Sequence, residues 1–212
     1  MSEQSSIAFF DITTLELAQD LVFVGGDLTT PNLLAAYTAG YFPMPVENEI
    51  GWFSPLERAV MLTDEFEPSR SLKSSKKKFD VDFNTAFETV IDACADPARS
   101  GSWIDPQIKK AYTELHQLGI AHSVEVFSED ELVGGLYGVR IGRLFAGESM
   151  FHHETDASKV AFWALCEWLE ETYGPCLVDA QWITPHLRTL GFRTLSRGQY
   201  ARLLATALKD TE

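Results

Sequence analysis

Residues 121–152 alternate apolar and polar side chains in three short runs. The first holds His122, Ser123, Val124, Glu125, Val126 and Phe127, and an acidic turn separates it from the second, at 131–139, which passes through Gly134, Gly135 and Gly138. The third, at 143–151, carries Glu148 between Gly147 and Ser149. A period of two, bounded by turn residues, predicts neighbouring antiparallel strands. A carboxylate at such a strand end stands where a rigid sheet presents chemistry. Beyond it Val160, Phe162, Trp163 and Leu165 predict an amphipathic helix over 156–173, with the Asp156 side chain as its cap.

The same reasoning predicts helices over 30–39, with Pro31 in the first turn and Gly40 closing it, and over 85–95 and 106–118. Further helices fall at 184–190, ended by Gly191, and at 196–208, while 177–180 reads as a buried strand. Outside the helix at 30–39, the first sixty residues read as short strands and turns. This order predicts an α+β fold around a central mixed or antiparallel sheet. It divides into a small N-terminal α/β unit over 1–60 and a larger unit over 61–212.

Composition narrows the class. With 212 residues, 45% hydrophobic and 23% charged, the chain can bury a real core. No apolar run reaches the ~18 residues that span a bilayer, and the N-terminus lacks the regions of a signal peptide. Cys94, Cys166 and Cys176 have no metal-type spacing and read as reduced, buried thiols. The expectation is a cytoplasmic protein with no membrane partner. His152 and His153 are adjacent on a strand and so face opposite ways, which predicts no metal site. His116 and His122 read as structural. His186, five residues past Gln181, is the histidine best placed to approach that residue.

A net charge of −14 argues at first against nucleic acid. However, Arg70, Lys73, Lys76, Lys77 and Lys78 crowd five of the 17 basic residues into nine positions. A charge run is usually a solvated face, but a basic island in an acidic chain also steers a polyanion to one place. No base-reading module is visible.

Eight words in order decide between these readings. They are Val24-Gly25-Gly26-Asp27-Leu28, Ala39-Gly40-Tyr41-Phe42-Pro43, Trp52-Phe53-Ser54-Pro55 with Arg58-Ala59-Val60, and Ser69-Arg70-Ser71-Leu72-Lys73. Gly101-Ser102-Trp103-Ile104, Leu118-Gly119 with 121–126, Gly147-Glu148-Ser149-Met150-Phe151 and Asp179-Ala180-Gln181 complete the set. From about Phe23 to Leu204 the chain resembles the bacterial leucyl/phenylalanyl-tRNA–protein transferases.

The resemblance implies a larger domain of the N-acetyltransferase (GNAT) superfamily fold and a smaller N-terminal domain. It implies transfer of leucine or phenylalanine, with methionine a further candidate, from Leu-tRNA or Phe-tRNA to proteins beginning with Arg or Lys. That reaction marks them for N-degron (N-end rule) proteolysis. No cofactor is implied, and the island Arg70, Lys73, Lys76, Lys77 and Lys78 would meet tRNA phosphates. Because the ester is already activated, the chemistry needs positioning, a proton acceptor and oxyanion stabilisation. Ser123 and Ser149 have no sequence-visible base, which favours direct aminolysis.

Gln181, Asp179 and Glu148 are the implied catalytic residues. Asp179 and Gln181 stand two apart on the expected strand and so on one face. Gln181 could accept a hydrogen bond from the incoming amine, with Asp179 orienting its amide or taking part in proton removal. Glu148 suits either a cationic acceptor side chain or proton handling. Its ordinary structural alternative is an ion pair with Arg143 or Lys159. The donor side-chain pocket would draw on Trp103, Tyr112, Leu136, Phe145, Leu165, Val178, Met44 and Trp52. Relatives often have an aromatic residue where this chain has Met44 or Leu165, and some extend beyond the position where it ends at Glu212. The alternatives are a CoA-dependent N-acetyltransferase of the same superfold and a non-catalytic tRNA-binding module. The acidic, glycine-free stretch His152-His153-Glu154-Thr155-Asp156 counts against a pyrophosphate cradle.

Overall fold

The computed structural model describes residues 7–16, 18–99 and 103–209. Gly101 and Ser102 of the fifth sequence word lie outside the described residues. Two sheets organise the chain. A small antiparallel sheet of order β1-β3-β2 is built from β1 (Leu21–Val24), β2 (Phe42–Val46) and β3 (Glu49–Phe53). Helix α1 (Thr30–Thr38) lies between its first two strands, with a proline in its first turn and Gly40 in the left-handed region just past its end.

The seven-stranded sheet comprises β4 (Glu57–Leu62), β5 (Asp80–Phe83), β6 (Ala121–Ser128), β7 (Glu131–Ile141), β8 (Leu144–His152), β9 (Leu177–Asp179) and β10 (Arg193–Ser196). Its order is β10-β4-β9-β8-β7-β6-β5, all antiparallel except β8 with β9. The fold is therefore α+β around a mixed sheet. Helix α2 (Arg70–Ser75) and the long α5 (Ala157–Tyr173) cover one face. On the other lie α3 (Phe87–Ala95), α4 (Pro106–Gln117), α7 (Arg197–Lys209) and the small sheet, while α6 (Pro185–Thr189) follows β9. Side-chain alternation builds both cores: Val60, Leu144 and Leu177 face the small-sheet side, Met61, Phe145 and Val178 face α5. No helix among the described residues is long and apolar enough to cross a membrane.

Four local expectations change. Glu148, expected at the end of its strand, lies inside β8. Asp156 does not cap α5: it sits in the left-handed region and its carboxylate instead accepts from Ser75 Oγ (2.9 Å) and Lys159 Nζ (3.0 Å). Helix α3 starts at Phe87, because the backbone N–H groups of Thr85 and Ala86 donate to the buried Glu125 carboxylate before it. The strand expected at 177–180 ends at Asp179.

Candidate active site

Two departures from regular sheet geometry make the site. Parallel strands β8 and β9 pair over three positions, from Leu144↔Leu177 to Ala146↔Asp179, and then part. Between β7 and β8 the register slips: Tyr137 pairs with Ser149 and Gly138 with Gly147, so Glu148 is the extra residue of a β-bulge. A Cβ on Gly138 would lie 2.3 Å from the Ala146 carbonyl oxygen, so that position of the bulge takes only glycine.

The fork holds a cavity of about 310 Å³. Residues from both faces of the sheet line it. Leu136, Phe145, Phe162, Leu165, Val178 and Phe192 belong to the α5-side core. Met44, Trp103, Tyr137 and Trp182 come from the other side, and Glu148 and Gln181 are also in the wall. The apolar part suits a branched or aromatic side chain, and the polar groups stand beside it.

Glu148 is half-buried, and it does not pair with Lys159, which is taken by Asp156. Its Oε1 accepts from the Tyr37 hydroxyl (2.7 Å) and its Oε2 from the Tyr112 hydroxyl (3.1 Å), while the two hydroxyls also contact each other. These three edges form a closed ring. With the carboxylate ionised, the two hydroxyl protons fill two edges and the third holds none. A proton on Glu148 fills all three. Desolvation by burial, opposed by the two tyrosine hydrogen bonds, pushes its pKa up to about 7. Burial, reinforced by Glu148, holds both phenols well above their ordinary value. Near neutral pH Glu148 therefore exchanges its proton between the two forms of the ring.

Asp179 and Gln181 do not share a strand face. Gln181 lies past the end of β9 with φ 57°, in the left-handed region. The turn moves its side chain to the cavity wall, where Nε2 is buried with no hydrogen-bond partner. Asp179 is fully buried away from the lining. Arg58 grips it twice, Nε to Oδ1 at 2.8 Å and Nη2 to Oδ2 at 2.6 Å, and the Tyr200 hydroxyl adds a bond of 2.9 Å. Burial lowers the guanidinium pKa, but the adjacent carboxylate more than offsets this and keeps Arg58 charged. Asp179 reaches Gln181 through its backbone: Oδ1 accepts from the Gln181 N–H at 3.0 Å.

Of the residues named for a donor side-chain pocket, Met44, Trp103, Leu136, Phe145, Leu165 and Val178 line the cavity. Trp52 does not. It is fully buried against Phe9 and Phe23 in the small-sheet core, and its Nε1 donates to the Gly25 carbonyl at 2.9 Å. Tyr112 bonds Glu148 rather than forming wall. In the basic segment Arg70, Lys73, Lys77 and Lys78 are exposed, but Lys76 is half-buried, 2.6 Å from Glu167 and over the Trp163 ring. Ser123 is buried against Glu125, away from the cavity lining. Tyr37, Arg58, Tyr137, Trp182 and Tyr200 escaped the sequence reading as site residues. Tyr37 carried a faint signal, a polar tip on the buried stripe of an amphipathic helix.

The fold and site thus define an α+β protein with an apolar, side-chain-sized cavity and a proton-sharing carboxylate beside it. A family model described as "Leucyl/phenylalanyl-tRNA protein transferase" matches residues 60–205, and the model of that family's N-terminal domain matches 26–56. Leucyl/phenylalanyl-tRNA–protein transferase of Dechloromonas aromatica (strain RCB) is 48% identical over 193 residues, covering 87% of this chain and 82% of its own. That of Pseudomonas aeruginosa PAO1 is 46% identical over 204 residues, covering 92% and 90%. The chain belongs to the leucyl/phenylalanyl-tRNA–protein transferase family and is an aminoacyltransferase. Among solved structures, L-PGS from Bacillus licheniformis has a TM-score of 0.40 at 14% identity over 70% of this chain and 49% of its own, a likeness too slight to carry an argument.

Proposed function

We propose that this protein transfers leucine or phenylalanine from aminoacyl-tRNA to the N-terminal α-amine of proteins that begin with Arg or Lys. The observation that carries this reading is the forked cavity: an apolar hole with Glu148 and Gln181 in its wall. The donor side chain fills the hole, with methionine a further candidate because a flexible thioether fits the same space. Glu148, in its ionised form, binds the acceptor's cationic side chain. The Gln181 amide orients the attacking α-amine, and Asp179 is a positioning residue that pins the Gln181 backbone to Arg58. The exposed Arg70, Lys73, Lys77 and Lys78 meet tRNA phosphates, and Lys76 braces that segment against α5. Arg- or Lys-initiated proteins so extended would enter N-degron proteolysis.

The parallel, splayed β8–β9 pair supports a GNAT-like larger domain behind a small N-terminal one. A CoA enzyme would present free N–H groups at the start of α5. Here the Ala157 N–H donates to the Glu154 carbonyl and the Asp156 carboxylate stands beside it, which disfavours a pyrophosphate. The test is direct: purified protein with radiolabelled Phe-tRNA or Leu-tRNA and model proteins beginning with Arg, Lys or Ala. Label on the first two alone supports the reading. Label on none, or acetyl transfer from acetyl-CoA, overturns it.

A further inference from the structure

Three buried polar atoms without a hydrogen-bond partner belong to residues of this cavity's wall: Gln181 Nε2, His186 Nε2 and the Tyr137 hydroxyl. Folded proteins rarely leave buried polar atoms unpaired, and each such group calls for an explanation. Tyr137 is the extreme case, a fully buried residue inside the sheet whose hydroxyl bonds nothing. Its ring cannot drift, because Tyr112 and Phe87 pack edge-on against it at centroid distances of 5.8 and 5.7 Å. On β7 it stands opposite Ser149, flanking the bulge that extrudes Glu148.

A phenol here is a donor. Burial, with Glu148 and Tyr112 adding to it, holds its pKa well above the ordinary value, so it keeps its proton at any working pH. Glu148 accepts from Tyr37 and Tyr112 and makes no hydrogen bond with Tyr137. Tyr137 is part of the cavity wall and its hydroxyl has no hydrogen-bond partner within the protein, so its acceptor must come from a molecule seated in the cavity. In aminolysis of an ester, the acceptor that arrives and gains charge is the carbonyl oxygen.

We infer that the Tyr137 hydroxyl is a catalytic hydrogen-bond donor to the carbonyl oxygen of the aminoacyl ester, strengthening as that oxygen becomes an oxyanion. This rests on the aminoacyl-transfer reading above. The α-amine attacks the carbonyl carbon, a C–N bond forms, and the carbonyl π pair moves onto the oxygen held by Tyr137. Collapse restores the C=O bond, breaks the C–O bond to the ribose, and passes one proton from the amine nitrogen to the departing ribose oxygen. Tyr137 keeps its proton throughout, so no co-reactant is needed. A donor fixed by packing before the charge appears needs no reorganisation at the moment of reaction.

Tyr137→Phe removes only the oxygen. Because that oxygen has no partner in the free protein, the variant should melt at the same or a higher temperature than wild type. Its kcat should fall about 10²-fold, in the range for loss of one oxyanion donor, while KM for aminoacyl-tRNA and for the Arg-initiated acceptor stays within about two-fold. A second measurement uses two adenosine analogues, a tetrahedral phosphonate and an amide-linked phenylalanyl nucleoside. The phosphonate should lose affinity by the same factor as kcat and the planar amide by almost none. An unchanged kcat, a loss confined to KM, a lowered melting temperature, or equal losses with both analogues would each overturn the inference. Wild-type protein that transfers nothing from aminoacyl-tRNA would instead sink the reading on which it rests.

Discussion

Glu148→Gln tests the proton ring and the acceptor site together. The amide is isosteric with the acid and can reproduce the closed ring, since its NH₂ donates to Tyr112, Tyr112 to Tyr37, and Tyr37 to its carbonyl oxygen. The substitution therefore mimics the protonated carboxyl and removes its titration. In wild type the folded-state pKa, about 7, lies above the ordinary 4.5. The folded form thus binds the proton more tightly than the unfolded chain, and its contribution is complete below pH 4.5 and lost as pH rises through 7. At about 1.4 kcal/mol per pH unit, the interval between 4.5 and 7 sets an upper bound of about 3.5 kcal/mol. Partial exposure of Glu148 reduces that to about 1–3 kcal/mol.

Denaturant unfolding of both proteins at pH 4.5, 6 and 8 measures this directly. The variant should match wild type at pH 4.5 and exceed it by about 1–3 kcal/mol at pH 8. Its acceptor KM for Arg-initiated protein should rise about ten- to a hundred-fold, on the scale of a charge-assisted hydrogen bond, with aminoacyl-tRNA KM unchanged. Wild-type KM for the cationic acceptor should fall as pH rises through 7, and that dependence should be missing in the variant. A variant equal to wild type in stability at pH 8, or more stable at pH 4.5 than at pH 8, would refute the ring.

Asp179→Asn leaves Arg58 buried and uncompensated, so it should destabilise by about 3–5 kcal/mol and lower kcat, with Tyr200→Phe costing far less in chemical denaturation. Replacing Lys73, Lys77 and Lys78 by Ala should weaken tRNA binding and flatten its salt dependence by about one unit of slope per lost phosphate contact, read by filter binding at several salt concentrations. Lys76→Ala should change that slope least and instead lower the melting temperature slightly, because its partners are Glu167 and Trp163. Leu165→Phe narrows the cavity, so kcat/KM should fall more for Phe-tRNA than for Leu-tRNA in competition assays.

The regular parts of this fold were legible because they obey short-range rules. Period-two alternation marks β6, β7 and β8, and Pro31, Gly40, Gly119 and Gly191 punctuate helices where the structure ends them. What escaped depends on pairs distant in sequence. Arg58 and Asp179 stand 121 positions apart and Lys76 and Glu167 91 apart, so neither partnership leaves a local trace. The Asp179–Gln181 error has one cause: the strand rule assumes extended backbone, and Gln181 adopts a left-handed conformation that non-glycine residues seldom take. Trp52 went astray for the opposite reason, as an aromatic residue is core far more often than wall.

Several failures of local logic meet at one place. The bulge at Glu148, the left-handed Gln181, a carboxyl pushed toward neutrality and three of the six unpartnered buried polar atoms among the described residues lie at one cavity. Each feature taken singly costs stability, and a sequence under selection for folding alone would remove them: leucine for Glu148, phenylalanine for Tyr137, glycine for Gln181. A structure usually violates its own rules where function requires it. The cavity's apolar lining by itself would describe any small-molecule pocket. It is the concentration of unmet polar demand around that lining, with donors lacking acceptors and a carboxylate held by two phenols, that the proposed ester and cationic acceptor would meet.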